Sequence, residues 1–201
     1  MNFNQYIETV RKRCKELPLH EHLVHMGMGV VGEMGEIVDA MKKTVIYGKT
    51  LDMVNVKEEV GDACWYIGGF AMKHGITGLV LDAHVHVGIA MYTSEGAYAD
   101  VGDDEFALTM SILASAAVLE MLTAQDNVQE AMQPLKSLAE MVGLMCARWS
   151  LDIGDVLDMN DAKLEKRYGA RYSGEAAINR DTAAERALME NYTAGTDRNG
   201  T

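Results

Sequence analysis

Proline occurs only at positions 18 and 134 of the 201-residue chain. Elsewhere nothing in the backbone chemistry stops a helix, because proline alone both removes an amide donor and clashes with the preceding turn. Fifteen methionines against three phenylalanines push the same way, and strand-like alternation is scarce. The chain therefore reads as all-α. A first amphipathic helix is expected over 3–17, with Phe3, Tyr6, Ile7, Val10 and Cys14 on its apolar stripe and Pro18 ending it. A second covers about 22–43 and buries Val30, Met34, Ile37, Val38 and Met41. Asn55, with Glu58 three residues on, has the capping-box pattern for a third helix that stops at Gly75. Residues 76–104 read as mostly helix, closing on an acidic break that caps the next helix at Asp103 or Asp104. Helices over 105–123 and 128–149 follow, with Pro134 tolerated in a first turn. The last helix of the body covers about 152–167, and the tail after Asp181 begins helical and ends frayed.

Charge narrows the function. Thirty acidic against eighteen basic side chains give a net charge of −12. Broad contact with a nucleic-acid backbone needs the opposite sign, and an anionic membrane surface is disfavoured on the same ground. An anionic nucleotide remains possible where a divalent ion bridges it to the protein. Cys14, Cys64 and Cys146 are widely spaced and read as reduced core thiols. The N-terminal stretch is too polar for a signal peptide, and no apolar run approaches the ~18 residues of a membrane span. A soluble, cytoplasmic protein is expected.

The chemistry is concentrated in "GEMGEIVDAMKK". Glu33, Glu36 and Asp39 lie three apart, so on a helix they stack along one ridge. The third helix repeats the pattern with Glu59 and Asp62, and Glu58 lies one turn from Asp62. No Lys or Arg stands three or four residues from Glu33, Glu36, Glu59 or Asp62. Gly32, Gly35 and Gly61 beside them would let two helices approach closely and focus the carboxylates on one pocket. Oxygen-only ligands of that kind suit Mg²⁺ or Mn²⁺. Asp39 has Lys42 and Lys43 within helical reach and is accessory. The ordinary fate of any one such pair is a solvated helix face.

Other candidates are weaker. His20, His22, His25, His84 and His86 lack the partners of a tetrahedral zinc site. Neither acidic helix carries the Glu-x-x-His pairing of a di-iron bundle. Trp65 and Tyr66 could stack on a base, with core packing the stronger reading for Trp65, and the Met-rich helices after 105 read as core or subunit interface. Lys163 and Arg167 share a face of the last helix with Asn160, and Lys42, Lys43 and Lys49 follow the acidic ridge.

The ExxE at Glu33/Glu36, followed after a short loop by ExxD at Glu59/Asp62, resembles the MazG-like nucleoside triphosphate pyrophosphohydrolases. The likeness runs through "GEMGEIVDAMKK", Tyr47-Gly48-Lys49 and "KEEVGDACWYI", and again through "DIGDVLDMNDAKLEKRYGARYSGEAAINRD". It covers about 20–67 and 138–181, in the manner of the family's phage and bacterial branch. The resemblance implies a MazG-type four-helix core within one domain over 1–181, an inserted helical elaboration at about 68–137, and a tail at 182–201. It further implies that Glu33, Glu36, Glu59 and Asp62 bind two or more Mg²⁺ (or Mn²⁺) ions. Glu36, or Glu33, would be the catalytic base. Asn160, Lys163, Arg167, Tyr168 and Lys49 would bind the substrate's phosphates. The implied reaction cleaves a (d)NTP, with a lean to dGTP and GTP, into monophosphate and pyrophosphate, in pool sanitation or phage nucleotide metabolism. The apolar helices imply a homodimer or homotetramer. The alternative is a non-catalytic helical protein that binds metal or nucleotide.

Overall fold

Regular structure in the computed structural model is entirely helical. It describes residues 1–95, 98 and 100–192, and the expected frayed end of the tail lies outside them. Among the described residues there are nine helices: α1 (Phe3–Arg13), α2 (Leu19–Val45), α3 (Met53–Lys73), α4 (Gly78–Glu95), α5 (Asp103–Ala124), α6 (Val128–Arg148), α7 (Ile153–Tyr168), α8 (Gly174–Ile178) and α9 (Thr182–Glu190).

Several ends differ from expectation for local reasons. α1 stops at Arg13 because Cys14 is already extended, at the start of the turn into Pro18. Pro18, with φ −53°, sits at the N-cap of α2 and starts that helix at once. α3 begins before Asn55, because Asp52 is its cap and accepts from the Asn55 amide at 3.1 Å. Pro134 is the seventh residue of α6, in its second turn rather than its first. α8 fills a stretch for which no helix was expected, capped by Ser173.

α2 packs between α3 and α5, and α6 between α4 and α5; α1 lies on α3 and α4, and α7 closes over α3. α4 and α6 meet almost backbone to backbone. A Cβ on Gly88 would lie 2.0 Å from the Glu140 carbonyl, and one on Gly143 would lie 2.1 Å from that of Val85. Phe3, Tyr6, Met26, Met34, Phe70, Phe106 and Met110 are fully buried in one continuous core. The flexible methionines fill gaps between the packed helices.

The boundaries expected at 68 and 137 fall inside α3 and α6. The elaboration is thus continuous with the rest of the bundle, and its central helix α5 lies along α2. By length and composition α5 is apolar enough to cross a membrane, contrary to the expectation of no such run; 39% of its most apolar window is buried. Its outer face leaves Leu108, Ile112 and Leu119 exposed.

Candidate functional site

The packing of α3 against α2 brings Glu33, Glu59 and Asp62 together. One oxygen from each lies within 4.8 Å of the others. Burial comes first in raising the Glu33 carboxyl to about 7, followed by the charge of Asp62. The same two causes, with Glu33 itself third, raise Glu59 to about 9. The two glutamates are hydrogen-bonded to each other and titrate as a pair. Three carboxylates this close cannot all ionise without a compensating cation.

Part of that compensation comes from α7. The Lys163 ammonium, fully buried, stands 2.5 Å from both oxygens of Asp62 and 3.2 Å from Glu58 Oε1. The Asn160 amide donates to Asp62 Oδ1 at 2.5 Å and accepts a very short bond from the Tyr6 hydroxyl. α7 can present both because Asp152 caps it and because Asn160 and Lys163 sit one turn apart on its buried face. Gly61 gives Asn160 its space, since a Cβ there would lie 3.1 Å from the Asn160 Cβ. Asp62 is therefore aimed by groups from α1 and α7.

The cation beside Asp62 is absent from its own helix and arrives from 101 residues away. Asn160 and Lys163, expected on phosphates, engage Asp62 in this structure. Gly32 and Gly35 do not serve the close approach, because a Cβ on either would meet nothing within 4 Å.

The remaining candidates are spread around this centre. Glu36 stands outside the cluster, exposed, and borders a separate groove of about 290 Å³ with Lys43, Lys49 and Asp52. Asp39 is paired with Lys42 and Lys43. Arg167 is held by both oxygens of Glu185 at 2.8 and 2.6 Å, and Arg180 reaches the same carboxylate at 3.1 Å. Tyr168 packs against Tyr172.

Beside the carboxylates is a cavity of about 180 Å³ with Glu33 and Asp62 in its wall. His25, Trp65, Tyr66, Tyr168 and Tyr172 also line it, together with Arg13, Arg167 and Arg180. Gly29 makes room for Tyr66, whose ring would lie 2.2 Å from a Cβ there. Helical spacing does signal this wall. His25, Gly29 and Glu33 step by four along α2, and Asp62 and Tyr66 do so along α3, so the aromatic residues prolong the acidic ridges. No family model, curated protein or solved structure matches the chain.

Proposed function

We propose that the protein is a divergent MazG-like hydrolase that cleaves a nucleoside or deoxynucleoside triphosphate to the monophosphate and pyrophosphate, using Mg²⁺ or Mn²⁺. The convergence of Glu33, Glu59 and Asp62 within 4.8 Å at the wall of a ligand-sized cavity carries this reading. The donors are all hard carboxylate oxygens, and the raised carboxyls of Glu33 and Glu59 mark a site with surplus negative charge. Both features fit Mg²⁺ or Mn²⁺, which these three residues would hold. When bound, such ions acidify water and offset the charge of the phosphates.

The protein's own residues do the rest. Lys163 and Asn160 fix the orientation of Asp62. Glu36, one turn from Glu33 on the same ridge, or Glu33 itself would take the proton of the attacking water. That water's oxygen joins the α-phosphorus, the bond from the α-phosphorus to the bridging oxygen breaks, and pyrophosphate leaves with the electron pair. Copies of the chain associate as a homodimer or homotetramer through the outer face of α5, where Leu108, Ile112 and Leu119 are exposed. Light scattering on wild type and Ile112→Lys checks this: a wild-type monomer would end it.

The direct test is a turnover panel of all ribo- and deoxyribonucleoside triphosphates with Mg²⁺ or Mn²⁺, with products resolved by ion exchange. Monophosphate plus pyrophosphate is expected. Diphosphate plus orthophosphate would break the mechanism. One observation favours a second reading: Lys163 already sits on both oxygens of Asp62, as in a purely structural ion pair. Nucleotide and metal binding without any product would establish that non-catalytic role.

A further inference from the structure

Beyond α7 the chain turns back onto the body as α8 and α9, which rest on α7 and, for α9, also on α3. No side chain of either helix belongs to the continuous apolar core. α8 buries nothing, and α9 buries only Glu185 and Met189. A helix that docks for stability presents an apolar stripe. α9 instead places a carboxylate in its contact, only 3% exposed. Buried ion pairs are a weak source of stability, because desolvation offsets much of their attraction.

The partners of that carboxylate are cations of the cavity. Arg167 grips both Glu185 oxygens, at 2.8 and 2.6 Å, and Arg180 adds a third contact at 3.1 Å. Both arginines line the cavity that has Glu33 and Asp62 in its wall, and Ala177 of α8 lines it too. A guanidinium fork takes two oxygens of a carboxylate or two of a phosphate with the same geometry. Glu185 therefore fills the place on these arginines that a phosphate would take. Further along, the segment is tied at the surface, where Arg186 pairs with Asp52 at 2.8 Å and Lys57 lies 5.5 Å from the centre of the Tyr192 ring. Exposed pairs of that kind hold weakly.

We infer that α9 is an autoinhibitory arm: Glu185 stands in for a substrate phosphate on Arg167 and Arg180, and a phosphate-bearing ligand must displace it to fill the cavity. The inference rests on the hydrolase reading above only in taking that ligand to be the substrate. An arm that is closed most of the time lowers apparent affinity in proportion to the fraction of molecules that are open. Ligand entry and release of the arm become one event.

The test is hydrogen exchange and calorimetry on the full chain with inorganic pyrophosphate, in Mg²⁺ and in chelator. At saturation the α9 amides are expected to exchange faster while those of α2 and α3 do not. Glu185→Gln removes the stand-in charge and should bind pyrophosphate about tenfold or more tighter, given an open state of about 10% or less in wild type. Arg186→Ala loosens the arm from its surface end, leaves the Arg167 clamp intact and should tighten binding about two- to fivefold. Because Arg186 is outside the buried pair, this variant decides the matter even if Glu185→Gln unfolds. Pyrophosphate that binds with α9 still protected, equal affinity in wild type and variants, or no binding in any form overturns the arm. The two readings fail separately. Release of α9 by pyrophosphate with no triphosphate turned over in Mg²⁺ sinks the hydrolase and keeps the arm. Turnover with α9 protected throughout, and with the same KM in Arg186→Ala as in wild type, does the reverse.

Discussion

On α2, Glu36 and Asp39 look outward; on α3, Glu59 and Asp62 have the same three-residue spacing and are drawn inward. Asp39 resembles any surface carboxylate, resting on Lys42 and Lys43 of its own helix. Asp62 instead meets a fully buried lysine, an amide and, through that amide, a buried tyrosine. The difference is made by α7, which covers α3 and leaves the outer end of the α2 ridge bare. Spacing decides which carboxylates share a ridge. The neighbouring helix decides whether the ridge becomes a site. Glu33 lies between these two conditions and joins the inward group.

The largest effect that contrast predicts is at Asp62. Asp62→Ala removes a ligand of the proposed metal centre and leaves the Lys163 ammonium buried without its closest partner. Turnover should fall at least ~10³-fold. Unfolding in denaturant should become easier by about 3 kcal/mol, the scale for breaking one side of a buried pair. Glu36→Gln provides the contrast, with a loss of roughly 10²–10⁴-fold in turnover and an unchanged denaturation midpoint. If the two variants behaved alike in both assays, the inward and outward ridges would not be distinct.

Next comes the response to pH. Unfolded glutamates ionise near the usual 4.5, whereas folded Glu33 and Glu59 retain protons to about 7 and about 9. Between those values the folded state binds more protons than the unfolded one, so stability falls as pH rises. In chelator, the pair's contribution to Tm should therefore be complete at and below about pH 4.5 and should be lost progressively as pH rises to about 9. Glu59→Gln should flatten the decline, because its amide cannot ionise. Millimolar Mg²⁺ should raise Tm more at pH 8.5 than at pH 6, since ionised carboxylates bind it better. A wild-type slope equal to that of Glu59→Gln would show that the cluster carries no shared proton.

The same contrast explains what was legible in the sequence. The 3.6-residue apolar pattern located α2, α3, α6 and α7, and same-helix spacing marked the carboxylates, because both are properties of one helix. Lys163 was visible as a residue of interest, yet its partner was not, since pairing with Asp62 depends on how α7 lies across α3. The partner of Asn160 was hidden for the same reason: its amide meets Asp62 only because of how α7 packs on α3. The α3 cap went to Asp52, which Arg186 of α9 also grips at 2.8 Å, a contact across 134 residues. α4 was hard to assign because apolar residues surround it, which removes the amphipathic signal. Trp65 and Tyr66 stood in the right register beside Asp62, but a ring that packs and a ring that lines a cavity have the same spacing.

The smallest effect belongs at Asp39. Its carboxyl is held down to about 2 by hydrogen bonds from Lys42 and Lys43, a local pairing at the protein surface. Exposed ion pairs of this kind contribute little, because water and salt screen them and the lysines give up side-chain freedom to form them. Asp39 also lies two turns from Glu33, beyond the three oxygens that converge. Asp39→Asn should leave Tm, its pH profile and the Mg²⁺ dependence of turnover indistinguishable from wild type, and added salt should change neither protein's Tm relative to the other. If Asp39→Asn instead shifted the Mg²⁺ requirement, the α2 ridge would act as one unit from Glu33 to Asp39. The division between inward and outward carboxylates would then have to be redrawn.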